Sequence, residues 1–198
     1  MNTRIIVPLL TLCLAQSVSA QSSLLGRNLF PEGTFDVFGE SRLLPLGWSF
    51  PGPNDRPWNV GFRAELVESE AGGKELRLTN PDFGFSGASA QMALPPKIDS
   101  LRISYRLMAK SIELGDDDPA SNGVGIHVRF HDKDGESLPG ASWVGGLVKA
   151  SSTEWQNMEQ IFDVPADAVE VRFQMLLRAA KGEVRLDDVE LIPTLLSE

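Results

Sequence analysis

The sequence predicts an all-β sandwich, and three observations carry the prediction. Apolar residues recur at every second position in one segment after another, the pattern of a strand with one face buried. No sustained 3.6-residue period appears anywhere, so no amphipathic helix is expected. The alternating segments, about nine or ten of them, are short and are separated by turns rich in Gly, Pro and Asp. Many short antiparallel strands with such turns bury one face each by stacking two sheets.

Residues 1–20 stand apart from that pattern. Arg4 supplies a short positive start, 5–15 is an apolar run too short to span a bilayer, and Val18-Ser19-Ala20 is a small-residue cleavage site before Gln21. This reads as a secretory signal peptide of the bacterial type, so a secreted or periplasmic protein without membrane insertion is expected. Leu12 precedes Cys13, where a lipoprotein signal requires a small residue, so no lipid anchor is expected. Removing residues 1–20 takes away one base and no acid, and the net charge goes from −9 to −10. That acidity argues against a general nucleic-acid binder. Cys13 is the only cysteine, so the exported chain has no disulfide and no thiol chemistry. The remainder has the length of one domain, divided as a short lead at 21–27, a sandwich over 28–192 and a tail at 193–198; a monomer is expected.

The segment NLFPEGTFD (28–36) is turn-rich at Pro31, Gly33 and Thr34 and anchored by Leu29, Phe30 and Phe35. It offers carbonyl oxygens and the Asp36 carboxylate. A proline-stiffened loop follows, flanked by Trp48 and Trp58. Such loops often carry function. Trp48 is expected to cap the core, and Trp58 either to do the same or to serve a site. Strands are expected at 63–68, 74–79, 88–94, 101–109, 124–131, 143–148 and 155–164. The loop NPDFGFSG (80–87) exposes two aromatics, Phe83 and Phe85. Within 124–131, Val124, Ile126, Val128 and Phe130 face inward and Gly125, His127, Arg129 and His131 outward. Tyr105 falls on the core side of 101–109.

The chain then reads VEVRFQMLLRAAKGEVRLDDVELI (169–192). Strands are expected at 169–178 and 184–191 around a turn at 179–182. In the second sit adjacent carboxylates, Asp187 and Asp188. Period two places one of them inward or against a loop, where it needs a hydrogen bond, a cation or a metal.

NLFPEGTFD, PLGW, GGKELRLTN, SGASAQ, TEWQ with FDVPADA, and VRLDDVEL occur in an order and spacing that resembles the galactose-binding-like carbohydrate-binding modules. These are the jelly rolls of the family four, nine and twenty-two group found on bacterial xylanases and cellulases. The resemblance covers 28–191. It implies a jelly roll of two antiparallel sheets and a structural calcium ion joining the N-terminal loop to the last strand. Asp36 and Asp187 would supply carboxylates to that ion, the Gly33 and Lys74 carbonyls would accompany them, and Asp188 would substitute if Asp187 faces solvent. The alternative is an aspartate satisfied by backbone N–H groups or an arginine.

In a jelly roll of this order, 88–94, 124–131, 141–148 and 169–178 form one sheet. Its outward residues would then line a shallow groove with Ser89, Gln91, His127, Arg129, Trp143, Arg172, Gln174 and Arg178. Amide, imidazole and guanidinium groups bond hydroxyls, and a tryptophan packs on the C–H face of a pyranose. Trp58, Phe83 and Phe85 would form the rim. The expected partner is a polysaccharide or oligosaccharide. Three arginines on one face suit an acidic glycan; the competing reading pairs them with acids such as Glu170. An enzyme is not expected. The paired-carboxylate E-x-D-x-E strand of sandwich glycosidases is absent, as is the tyrosine-rich strand of the alginate-lyase jelly rolls. A small secreted lyase or hydrolase is the alternative, and a cell-surface sandwich that binds proteins is the second.

Overall fold

The alternating segments become strands whose apolar residues meet in one core. The computed structural model describes residues 26–30, 35, 48–50, 61–70, 72–116, 118 and 120–194. Among these the strands are β1 (Trp48–Ser49), β2 (Arg63–Glu68), β3 (Lys74–Asn80), β4 (Phe85–Ala93), β5 (Ser100–Leu114), β6 (Gly123–His131), β7 (Ser142–Trp143), β8 (Gln156–Asp163), β9 (Glu170–Arg178) and β10 (Ala180–Thr194). No helix occurs among the described residues. Two five-stranded sheets form, in the orders β1-β4-β9-β6-β7 and β2-β3-β10-β5-β8. Every pairing is antiparallel. The fold is the two-sheet antiparallel jelly roll that the sequence led us to expect.

The core lies between the sheets. Val124, Ile126, Val128 and Phe130 of β6 and Val171, Phe173, Met175 and Leu177 of β9 are fully buried. So are Leu101, Ile103 and Leu107 of β5 and Val184, Leu186, Val189 and Leu191 of β10. Burying one such side chain contributes about 1.5–3 kcal/mol, so the two-residue period is the main instruction in the chain. Tyr105 ties the layers together. From β5 its hydroxyl accepts the Ile126 N–H and donates to the Val144 carbonyl, each at 3.3 Å. Burial pushes that phenol up to about 12, offset in part by the Ile126 hydrogen bond.

Three local departures have physical causes. Strand 143–148 shrinks to β7, because Gly145 and Gly146 take φ of 66° and 92° and pinch the chain before Val148 rejoins Val124. The turn expected at 179–182 contracts to Ala179, and β10 starts at Ala180. Gly182 then lies inside β10 at φ 132°, where a Cβ would sit 1.5 Å from the Ser111 carbonyl oxygen. Between Leu186 and Val189, both core residues, β10 accommodates two residues and shifts register. Asp188 adopts φ 49° there. A β-bulge thus breaks strict alternation, with the Asp187 side chain buried and Asp188 exposed.

The first and last segments are joined by Asn28. Its side chain accepts the Leu191 N–H at 2.8 Å and donates to the Val189 carbonyl at 3.2 Å, while Leu29 N–H reaches the Leu191 carbonyl at 2.7 Å. Next to this clamp Phe30, Trp48 and Phe173 pack edge to face, with ring centres 5.3–5.8 Å apart. Trp48 is a core residue, as expected.

Candidate functional site

The four segments expected to share a sheet do so, as neighbours in the order β4-β9-β6-β7. Antiparallel register converts their outward residues into rows. Ser49, Ser89, Gln174, His127 and Trp143 are successive register partners across five strands. Gln91, Arg172 and Arg129 form the adjacent row, and Ala93, Glu170 and His131 the one beyond. Phe85, Arg178 and Gly123 lie in a row toward the opposite end. Strands sit about 4.8 Å apart, so a row from β4 to β7 spans roughly 15 Å, the length of a short oligosaccharide.

The polar groups of these rows differ in how far they are already satisfied. Gln91 donates to Glu170 at 2.6 Å and accepts from Arg172 at 2.9 Å, and Arg172 also lies 3.5 Å from Glu170. This corner is closed on itself. Arg129 is exposed and has no carboxylate partner among the described residues. Arg178 faces the Asp118 side of the acidic loop; hydrogen bonds from Ser121, with a smaller effect of the Arg178 charge, hold the Asp118 carboxyl below its ordinary value. His127 meets the Trp143 ring edge-on at 5.0 Å, and its buried Nδ1 has no partner among the described residues. Burial, then the charges of Arg129 and Arg178, hold its imidazole below the ordinary value, so it is neutral at pH 7.

Gln91, His127, Arg129, Trp143, Arg172, Gln174 and Arg178 therefore share one face, with Ser89 buried beneath them and bonded to Ser49 at 3.3 Å. Phe85 belongs to the same face as the first residue of β4, not to a loop, and is 41% exposed. Phe83 does not join them. Its ring lies under the Lys181 ammonium at 4.8 Å, on the side of the other sheet. Trp58 lies outside the described residues. Sequence reasoning missed Ser49, because a two-residue strand leaves no periodic signal.

The expected calcium set is placed only in part. Gly33 and Asp36 lie outside the described residues. Asp187 and Asp188 straddle the β10 bulge and grip one guanidinium, Arg106, at 2.7 and 2.6 Å. Asp187 also accepts the Asp188 N–H at 2.8 Å. Burial keeps its carboxyl above the ordinary range in spite of Arg106. Lys74 pairs with Glu68 at the far end of the β2–β3 ladder. No group of three or more His, Cys, Asp or Glu residues suited to a metal occurs among the described residues. A cation already fills the space between the two aspartates, so the described donors do not fit a dication. Asn28 ties the described part of the first segment to β10 through Val189 and Leu191.

No family model matches the chain, and no curated protein does. Solved structures do. The xylan-binding domain CBM22-1 of Paenibacillus barcinonensis Xyn10C superposes with a TM-score of 0.55 at 13% identity, over 83% of this chain and 93% of that one. A CBM4 structure superposes with a TM-score of 0.52 at 17% identity, over 82% and 98%. This chain has the jelly-roll fold of the carbohydrate-binding modules. The same fold also occurs within an enzyme: the enzymatically active domain of bacteriophage CBA120 tailspike protein 4 matches with a TM-score of 0.63 at 10% identity. The match covers 84% of this chain but only 21% of the tailspike chain.

Proposed function

We propose that this chain is a secreted, non-catalytic carbohydrate-binding module that holds a poly- or oligosaccharide across the outer face of the β1-β4-β9-β6-β7 sheet. The observation that carries the proposal is the row Gln174–His127–Trp143, an amide, a neutral imidazole and an indole set side by side by register. These groups bond hydroxyls and pack on sugar C–H faces without needing a charged partner. The neighbouring CBM22-1 domain is named as xylan-binding, which makes xylan one polymer to test. Among the described strand residues of this face Glu170 is the one carboxylate, and Gln91 and Arg172 already occupy it. A glycosidase needs two free carboxylates across the scissile bond, so the face suits binding without cleavage. The signal-like residues 1–20 support export. The proposal carries no calcium ion.

The test is binding of the purified protein to immobilised polysaccharides, with long incubation and analysis of released sugars. Binding without products, weakened by Trp143→Ala and Gln174→Ala, is expected. Released oligosaccharides would replace the module with a lyase or hydrolase. Binding to no polysaccharide would overturn the proposal.

A further inference from the structure

The proposed binding face carries an electrostatic conflict. Arg129 of β6 and Arg172 of β9 are direct register partners. Like charges placed directly opposite destabilise an antiparallel pair. Arg172 turns to Glu170 and Gln91, which leaves Arg129 as an exposed guanidinium without a carboxylate among the described residues. On the other sheet the chain shows that it can do otherwise. There Arg77, Arg102, Arg106 and Arg185 each hold a carboxylate. The whole chain is acidic, at net −9, so acids for Arg129 are not scarce in composition. The cation is left open on the one face that also offers Gln174, His127 and Trp143.

We infer that the glycan held by this face bears carboxylate or sulfate groups, and that Arg129 reads them. The inference rests on the proposed glycan binding. A guanidinium presents two parallel N–H donors that match two oxygens of a carboxylate or sulfate, a geometry an ammonium lacks. An anion between Arg129 and Arg172 removes their mutual repulsion, so binding and relief of the conflict act together. Neutral His127 and Gln174, one row away, are then free for the hydroxyls of the same or the next sugar.

The test is calorimetric titration of the purified protein with polygalacturonate, the same polymer fully methyl-esterified, dextran sulfate and neutral xylan. Polygalacturonate or dextran sulfate is expected to bind, and the arm that binds names uronate or sulfate as the source. The methyl ester, which keeps the shape and loses the charge, should bind at least about tenfold more weakly. Arg129→Gln should weaken binding about ten- to hundredfold, the value of a hydrogen bond between charged groups. Arg129→Lys should recover part of that loss, and Arg172→Gln should cost less than Arg129→Gln. Arg63→Gln, an exposed arginine on β2 of the other sheet, should change nothing, which separates a built site from general polyanion adhesion. Xylan binding that Arg129→Gln leaves intact, with no affinity for either polyanion, would overturn this inference and leave glycan binding standing. Equal losses from Arg63→Gln and Arg129→Gln would also overturn it. Binding to none of the four would overturn glycan binding itself.

Discussion

The outer face of β2-β3-β10-β5-β8 and the outer face of β1-β4-β9-β6-β7 use the same residue types to opposite ends. On the first, charges are laid out as a ladder. Arg77 holds Glu65, Arg185 holds Glu75 at 3.1 Å and Glu183 at 3.3 Å, Arg106 holds Asp187 and Asp188, and Arg102 lies 3.1 Å from Glu159 and 3.6 Å from Glu190. Trp155 lies against Arg106 at 5.0 Å, so its ring is also taken. A cavity of about 500 Å³ opens here, and two of the guanidinium groups lining it are already engaged, Arg185 by Glu75 and Arg106 by Asp187. On the second face, among the described residues, Arg129 has no acid and the buried His127 Nδ1 has no partner, while the Trp143 ring meets His127 edge-on. Polar groups satisfied within the protein hold the fold; polar groups left open are what a ligand can use.

The sharpest way to break the comparison is at Arg185. Glu75 is 3% exposed, and Arg185→Met would leave it buried without its counter-ion. A loss of about 3 kcal/mol in urea unfolding is expected, with glycan affinity unchanged. A loss of affinity equal to that of a groove variant would mean that the two faces are not separate. Next is the clamp between the chain ends. Asn28→Ala removes two hydrogen bonds to β10 and should cost about 1–3 kcal/mol, whereas a chelator should leave the melting temperature unchanged. A rise in melting temperature on adding calcium would instead place an ion at the N-terminal segment. Trp143→Ala should reverse the Arg185 pattern. Trp143 is half-buried on a two-residue strand, so stability should fall by less than about 1 kcal/mol while glycan affinity falls about tenfold.

The smallest expected effect concerns His127. Its folded-state value is depressed, so the fold favours the neutral ring. The stability it contributes is present above the unfolded value, about 6.5, and is lost as pH falls through the depressed folded value. His127→Gln should flatten that part of the acid limb. A bound anionic glycan should move the His127 titration, followed by NMR, upward, because it offsets the field of Arg129 and Arg178. A neutral glycan should not.

Most of the architecture was legible because apolar alternation is local. Val124 to Phe130 and Val171 to Leu177 announce their buried faces without reference to any other strand. The groove set was legible one step further on, since residues two apart share a face and the strand order was implied by the resemblance. Three things were not. Phe83 looked like a partner of Phe85, but a turn between them sends its ring to Lys181. Asp187 and Asp188 stayed open between an ion and an arginine, because nothing in the local sequence shows that Arg106, 81 residues before Asp187, lies opposite them. Asn28 carried no local signal at all, since its partners lie 161 and 163 positions away.

By itself, then, the sequence determined where most of the strands run, which face of each is buried, and which polar side chains lie on the outward faces. Those follow from the two-residue period and the cost of leaving apolar surface in water. Only the tertiary structure decided which of those polar groups are satisfied. Arg106 and Arg129 are both arginines on alternating strands. The first falls opposite a bulge that presents two carboxylates and the second opposite another arginine. Charge pairing depends on register between distant strands, and register is a property of the assembled sheet.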